Sequence, residues 1–271
     1  MKEIKKLLYL FLLCSVNLYS QNPKSVAVLK PEFNSILENL KVKGAILIYD
    51  VKNNTYYSND FAWTKKGIIP ASTFKIPNSI IALETGVIAN DSVVFKWEGE
   101  KRKFKKWEQD LTFKQAFQVS CVPCYQEIAR KIGVKRMKTY LKKLNYSGMV
   151  FDTLTIDNFW LTGKSKVTQM QQIDFLKRLY FSKFPISKNT VNVLKNIMLI
   201  EKSESYTLSG KTGWGMRSDL DNGWFVGYLE TQNTVYFFAT NVEMKNATMD
   251  DFPAIRMNAT KEAFRELKLI N

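Results

Sequence analysis

Between Lys43 and Asp60 the chain reads KGAILIYDVKNNTYYSND: an apolar run, an Asn53-Asn54 pair, then a run rich in threonine and tyrosine. This pattern predicts two strands joined by a tight turn. A similar pattern returns near the end of the chain. SYTLSGKTGWG, Ser205 to Gly215, reads as a strand ending in glycines. NGWFVGYLETQNTVYFFATNVE, Asn222 to Glu243, reads as two aromatic and β-branched strands around Thr231-Gln232-Asn233. FPAIRMNATKEAFRELKLI, Phe252 to Ile270, predicts a closing helix.

From about Pro70 to Met198 the reading is mostly helical. STFKIPNSIIALETG predicts a helix stopped at Gly86, with Pro77 tolerable only near its start. TFKQAFQVSCVPCYQEIARKIG and VTQMQQIDFLKRLYF predict two more. Strands at both ends and helices between predict an α/β fold of the α+β type. Its central antiparallel sheet pairs first strands with last and is flanked by N- and C-terminal helices, with an inserted all-helical lobe. The sheet lobe would span about 21–69 and 199–271, and the helical lobe about 70–198. No internal repeat or low-complexity linker divides them.

With 271 residues, 45% hydrophobic and 13% aromatic, the chain can bury one full interior, which excludes collagenous and disordered classes. The first residues change the picture further. MKEIKK is a positive segment and LLYLFLLCSVNLY a short apolar one, so residues 1–20 read as a secretory signal with cleavage before Gln21. No later stretch is long and apolar enough to span a bilayer of about 20 helical residues. A periplasmic protein free of the membrane is expected, monomeric or dimeric, with residues 21–271 as a single catalytic domain.

The formal charge of +15 permits attraction to anionic surfaces. The densest basic run, KWEGEKRKFKKWEQD from Lys96 to Asp110, is diluted by Glu98, Glu100, Glu108 and Asp110. It reads as a solvated loop or helix face, and no nucleic-acid partner is expected. Cys121 and Cys124 form a Cys-x-x-Cys pair, but without histidine or a second pair there is no zinc set and no metal is expected. On a helix their Cβ atoms would lie about 5–6 Å apart, whereas a disulfide prefers about 3.8 Å. Two packed, reduced thiols are therefore expected.

The candidate chemistry lies in PASTFKIP, Pro70 to Pro77. Ser72 and Lys75 are three apart, one turn from each other on one helix face. A serine hydroxyl needs a base, and the chain has no histidine. Lysine serves only if burial depresses its pKa. KTG, Lys211 to Gly213, lies on a predicted strand, where a cation and a hydroxyl can hold a carboxylate and glycine admits a ligand to the backbone. Ser120, in Ser120-Cys121-Val122, offers a hydroxyl able to pass on a proton.

Ser-x-x-Lys with Lys-Thr-Gly resembles the serine β-lactamases and penicillin-binding proteins. The full order, STFKIPN, then Ser-x-Val, then FWL at Phe159 to Leu161, then KTG, resembles class D, the oxacillinase group, over essentially the whole chain after the signal. The resemblance implies hydrolysis of a β-lactam through an acyl-Ser72. Lys75 would react with carbon dioxide to become the carboxylated general base, with no other cofactor. Trp160 would donate to that group, and Val122 and Leu161 would wall it. Backbone N–H groups of Ser72 and Trp214 would form the oxyanion hole. Ser120, with Lys211 nearby, would relay a proton to the leaving nitrogen, and Thr212, Gly213 and Arg256 would bind substrate. A β-lactam sensor domain and a cell-wall transpeptidase or carboxypeptidase are the alternatives. One departure stands out: where many class D enzymes carry Tyr-Gly-Asn, this chain has Tyr146-Ser147-Gly148.

Overall fold

The computed structural model describes residues 25–215, 220–248 and 252–271. The expected signal at 1–20 lies outside them. Strand β1 (Val26–Leu29), helix α1 (Glu32–Asn39) and the strands β2 (Lys43–Asp50) and β3 (Thr55–Ser58) come first. A 3₁₀ turn (Ala71–Phe74) leads into α2 (Lys75–Glu84). Next are a short ribbon, β4 (Val94–Phe95) with β5 (Leu111–Thr112), then α3 (Phe113–Gln118), α4 (Val122–Lys143), α5 (Gln169–Tyr180) and α6 (Lys188–Met198). The chain closes with β6 (Leu199–Lys202), β7 (Tyr206–Gly215), β8 (Leu220–Thr231), β9 (Val235–Lys245) and α7 (Phe252–Glu266).

Seven strands form one sheet in the order β1-β3-β2-β9-β8-β7-β6. As the pattern predicts, the first hairpin joins the last strands: β2 runs antiparallel to β9 from Lys43 opposite Glu243 to Asp50 opposite Tyr236. The sheet is antiparallel except at one edge, where β1 pairs parallel with β3. The helical region also holds the β4–β5 ribbon, so it is not purely helical.

Alternation along each strand feeds two cores. Ile46, Ile48, Phe225 and Phe238 face α1 and α7, where they join Phe33, Leu37, Phe252 and Phe264. Leu47, Tyr49, Trp224 and Phe237 face the helical region and join the aromatic interior around Phe74, Phe159 and Trp160. Both faces are covered, which explains why GAILIYD is continuously apolar instead of alternating. Gln169, on α5, ties the layers by donating to the backbone carbonyls of Ala45 (2.8 Å) and Ala239.

Two expectations need correction. The single helix read through TFKQAFQVSCVPCYQEIARKIG is two, broken at Val119 to Cys121. Pro123 is the reason: it lies at the very start of α4, where its missing N–H breaks no helical bond. Cys121 and Cys124 are joined in a disulfide with Cα atoms 5.5 Å apart, not held as two thiols. The helical distance does not apply, because Cys121 is the N-cap of α4, with φ −55° and ψ 106° outside helical geometry.

Candidate active site

Ser72 sits in the 3₁₀ turn at the head of α2 and follows Ala71, whose φ of 48° is uncommon for a residue with a side chain. The turn is gripped from both layers. Gln172 Nε2 donates to Thr73 Oγ1 at 2.9 Å, Thr73 Oγ1 to Pro70 O at 2.6 Å, and Trp224 Nε1 to Ile69 O at 2.9 Å. Surroundings of this kind can hold a strained residue in place.

Lys75, the first residue of α2, is fully buried. Its Nζ donates to Ser72 Oγ at 3.3 Å and lies 4.7 Å from the centre of the Tyr125 ring. Burial alone pushes its pKa down to about 7. Trp160, fully buried, stacks on Phe74, the residue before Lys75, with ring centres 5.6 Å apart. Its indole N–H has no acceptor among the described residues. An unpaired buried donor costs about 1–3 kcal/mol, so this N–H suits an anionic oxygen arriving beside it. The donor set thus fits a carboxyl group on Lys75.

Across the cleft, Lys211 Nζ donates to Ser120 Oγ at 2.6 Å and to Thr212 O at 3.0 Å. Its pKa is held well below the usual range, first by burial, then by the charges of Lys75, Arg256 and Lys106. Ser120 occupies the break between α3 and α4 with φ 59°. The pairing of β6 with β7 ends at Leu199 opposite Ser209. Beyond it, Gly210 to Gly215 pair only with β8 and leave one backbone edge open. Gly213 lets that strand lie against the Ser72 turn: a Cβ there would come within 3.3 Å of Ser72 N and 3.2 Å of Pro70 O. Trp214 turns to the opposite face, where it meets Phe252 at 5.3 Å.

Arg256, on α7, is buried, and one guanidinium nitrogen donates to Gly213 O at 2.6 Å. Its Nε has no partner among the described residues, and burial lowers its pKa to about 10. Ser72, Ser120, Val122, Leu161, Thr212, Gly213, Trp214 and Arg256 all line one open cleft of about 1040 Å³. Lys75 and Lys211 stand behind its wall, tied to the two serines.

Residues 41–264 match the family profile of the penicillin binding protein transpeptidase domain. The chain is 42% identical over 208 residues to β-lactamase OXA-10 of Pseudomonas aeruginosa, covering 76% of this chain and 78% of that one. The chain belongs to the class D β-lactamase family. It is also 34% identical to β-lactamase OXA-48 of Klebsiella pneumoniae, over 88% of each chain. Among solved structures, a class D β-lactamase from Nostoc superposes with a TM-score of 0.84 at 43% identity, covering 88% of this chain and 99% of that one. Another from Fusobacterium nucleatum gives 0.84 at 32% identity, covering 90% and 100%.

The structure gathers the sequence motifs around one cleft, and it adds two features there that the sequence reading did not name. Tyr125 reaches under Lys75 and bonds Ser79 at 2.7 Å. Its only sequence signal was its place on a helix following Ser-x-Val. The basic run is not simply a solvated face, because Lys101 to Trp107 line the cleft. Trp107 anchors this strap, donating to Val119 O at 3.0 Å beside Ser120. At the Tyr146-Ser147-Gly148 departure, Tyr146 is buried, and Gly148 turns at φ 83° where a Cβ would collide with the Lys166 carbonyl.

Proposed function

We propose that this chain hydrolyses the amide of β-lactam antibiotics through an acyl-enzyme on Ser72, with residues 21–271 acting as one periplasmic catalytic domain. The observation that carries the mechanism is the amine of Lys75, buried beside Ser72 Oγ with no carboxylate partner among the described residues, while the indole N–H of Trp160, which stacks on the neighbouring Phe74, has no acceptor among them. Only a neutral amine captures carbon dioxide, and depression of its pKa to about 7 supplies that form at neutral pH. When present, the captured carboxyl group supplies an anionic oxygen base next to the nucleophile.

Ser72 Oγ gives its proton to the base at Lys75 and attacks the lactam carbonyl, so an ester C–O bond forms and the ring C–N bond breaks, its electron pair taking up a proton on nitrogen. Backbone N–H groups of Ser72 and Trp214 receive the developing oxyanion. Ser120, bonded to Lys211, passes a proton to the departing nitrogen. Thr212 and Arg256 hold the substrate carboxylate, and the Arg256 Nε, which has no partner among the described residues, supports that role. Water then attacks the ester, and Ser72 regains its proton as the open acid leaves. Such activity confers β-lactam resistance.

Purified protein should turn over a chromogenic cephalosporin many times. In acidic, bicarbonate-free buffer the rate should fall and then recover when bicarbonate is added. A single stoichiometric burst would indicate a sensor instead, and indifference to bicarbonate would overturn the role of Lys75. The match to the transpeptidase domain keeps one other reading in play. Release of the terminal residue from a cell-wall peptide, without β-lactam turnover, would favour it.

A further inference from the structure

From Ile128 to Phe151 the chain carries seven cations and no acid. Two of the cations are matched: Arg130 pairs with Asp157 and Lys131 with Glu127, each at 2.6 Å. The other five, Lys135, Arg136, Lys138, Lys142 and Lys143, are exposed and have no anionic partner among the described residues. They follow Gly133, whose φ of 75° and ψ of 160° break α4 in two. In the half beyond that break Met137 and Leu141 are buried, so helical spacing puts the five cations on the opposite arc. Like charges three and four apart destabilise a helix, and an anionic surface removes that cost. A loop lies alongside this half of α4. Lys138 and Lys142 share a cavity of about 290 Å³ with Met149 and Phe151, and Lys138 Nζ lies 5.6 Å from the Phe151 ring. The Arg130–Asp157 pair holds the other end of the loop, which therefore runs back along the helix. Phe151 and Ile156 are buried, whereas Val150 and Leu154 are 56% and 86% exposed. Asp152, the one acid between Met149 and Ile156, is engaged in the turn: it accepts from the backbone N–H groups of Leu154 and Thr155 and from Thr155 Oγ1.

We propose that this face docks reversibly on an anionic lipid surface, with the five cations against the headgroups and Val150 and Leu154 entering the interface. Cations alone suit any polyanion. Two exposed apolar side chains set beside them favour lipid, because positive charge together with protruding hydrocarbon is what holds a protein at a bilayer interface. The contact is not a span: among the described residues no helix is long and apolar enough to cross a membrane. It refines the expectation, drawn from the sequence, of a protein free of the membrane. None of these residues lines the cleft, which meets α4 at its other end, at Val122 and Pro123. Docking and turnover therefore use different surfaces, and docking does not depend on the reaction proposed above.

The test is co-sedimentation with vesicles of phosphatidylcholine, alone or mixed with phosphatidylglycerol. It uses the chain from Gln21 onward, which keeps every described element and lacks the apolar N-terminal run with its own affinity for lipid. The protein should bind the mixed vesicles and not the neutral ones, and less as salt rises from about 0.05 M to about 0.5 M. A lysine near such a surface contributes about fivefold, so Lys138→Gln with Lys142→Gln should weaken partitioning roughly 25-fold. Lys138→Arg with Lys142→Arg should keep it. Leu154→Ser should weaken it about tenfold at unchanged charge. Lys52→Gln, at an exposed lysine of the β2–β3 turn, should leave it unchanged. Every variant should melt no lower than the wild type, which separates lost docking from lost folding. No binding to the mixed vesicles, or binding indifferent to Lys138 and Lys142, overturns the docking surface. Binding that follows the lysines but ignores Leu154, and that polyglutamate matches, overturns the lipid assignment in favour of a general polyanion site.

Discussion

Lys75 and Lys211 are both buried amines bonded to a serine, yet they lie in unlike halves of the cleft. Around Lys75 are aromatic rings, Tyr125 and the Phe74–Trp160 stack, and desolvation alone depresses its pKa. Around Lys211 the same desolvation is joined by three positive charges. The dry half favours loss of charge and so suits covalent and proton chemistry. The cationic half is under strain from like charges that an arriving anion relieves, so it suits binding. In the mechanism proposed above, activation of Ser72 and binding of the substrate carboxylate are thus set apart by dielectric and charge within one cleft, with Ser120 and the disulfide at their border.

The largest expected effect breaks the dry half outright. Ser72→Ala should lower kcat by at least about 10³-fold, read with a chromogenic cephalosporin, while the protein still retains β-lactam noncovalently at the cationic half. Trp160→Phe keeps the ring and removes only its donor. Loss of one such donor costs about 10²-fold in rate, and the fall should appear in deacylation and deepen in bicarbonate-free buffer. Unaltered deacylation would mean the indole holds no anion, and the contrast between the halves would lose its main support.

The border can be probed through the disulfide. Cys121→Ser with Cys124→Ser opens a very short covalent loop, for which the chain-entropy relation gives about 2 kcal/mol. Denaturant melts should report that loss. If the staple also fixes Ser120, kcat should drop while the bicarbonate requirement stays the same.

The smallest effect is the pH dependence. Below about pH 7 the Lys75 amine is protonated and cannot capture carbon dioxide. In bicarbonate-free buffer turnover should fall about tenfold for each pH unit below that point. The stability term has the matching sign. Between about pH 7 and the ordinary value of 10.5, the unfolded chain binds a proton at Lys75 that the folded chain does not. The folded state therefore gains stability as pH rises through that window. Lys75→Met should raise the melting temperature more at pH 6 than at pH 9. An equal gain at both would show that the amine is not desolvated.

Much of this was legible in the order of residues. The hairpin at Lys43 to Asp60 and the paired strands from Asn222 were readable because strand alternation and turn residues are local signals, whereas the Ser72, Lys75, Ser120 and Lys211 set was named through the order of motifs that resembles class D. The α3–α4 break was not read, although Pro123 can stand without loss only near a helix start. The reading failed where distant segments meet. Lys96 to Asp110 looks like any charged surface run until Trp107 is seen to reach Val119. Cys121 and Cys124 looked too far apart because the helix was assumed to contain both.

The sequence by itself determined which groups are candidates for the chemistry, that no histidine is available as a base, and the broad order of strands, helices and strands, because each depends on residue type and near-neighbour spacing. Only the tertiary structure decided that, among the described residues, Lys75 is desolvated without a counter-charge and Trp160 keeps an unpaired N–H. It also decided that a basic strap closes one side of the cleft. Dielectric and field are sums over neighbours brought from every part of the chain, and no short stretch of sequence contains them.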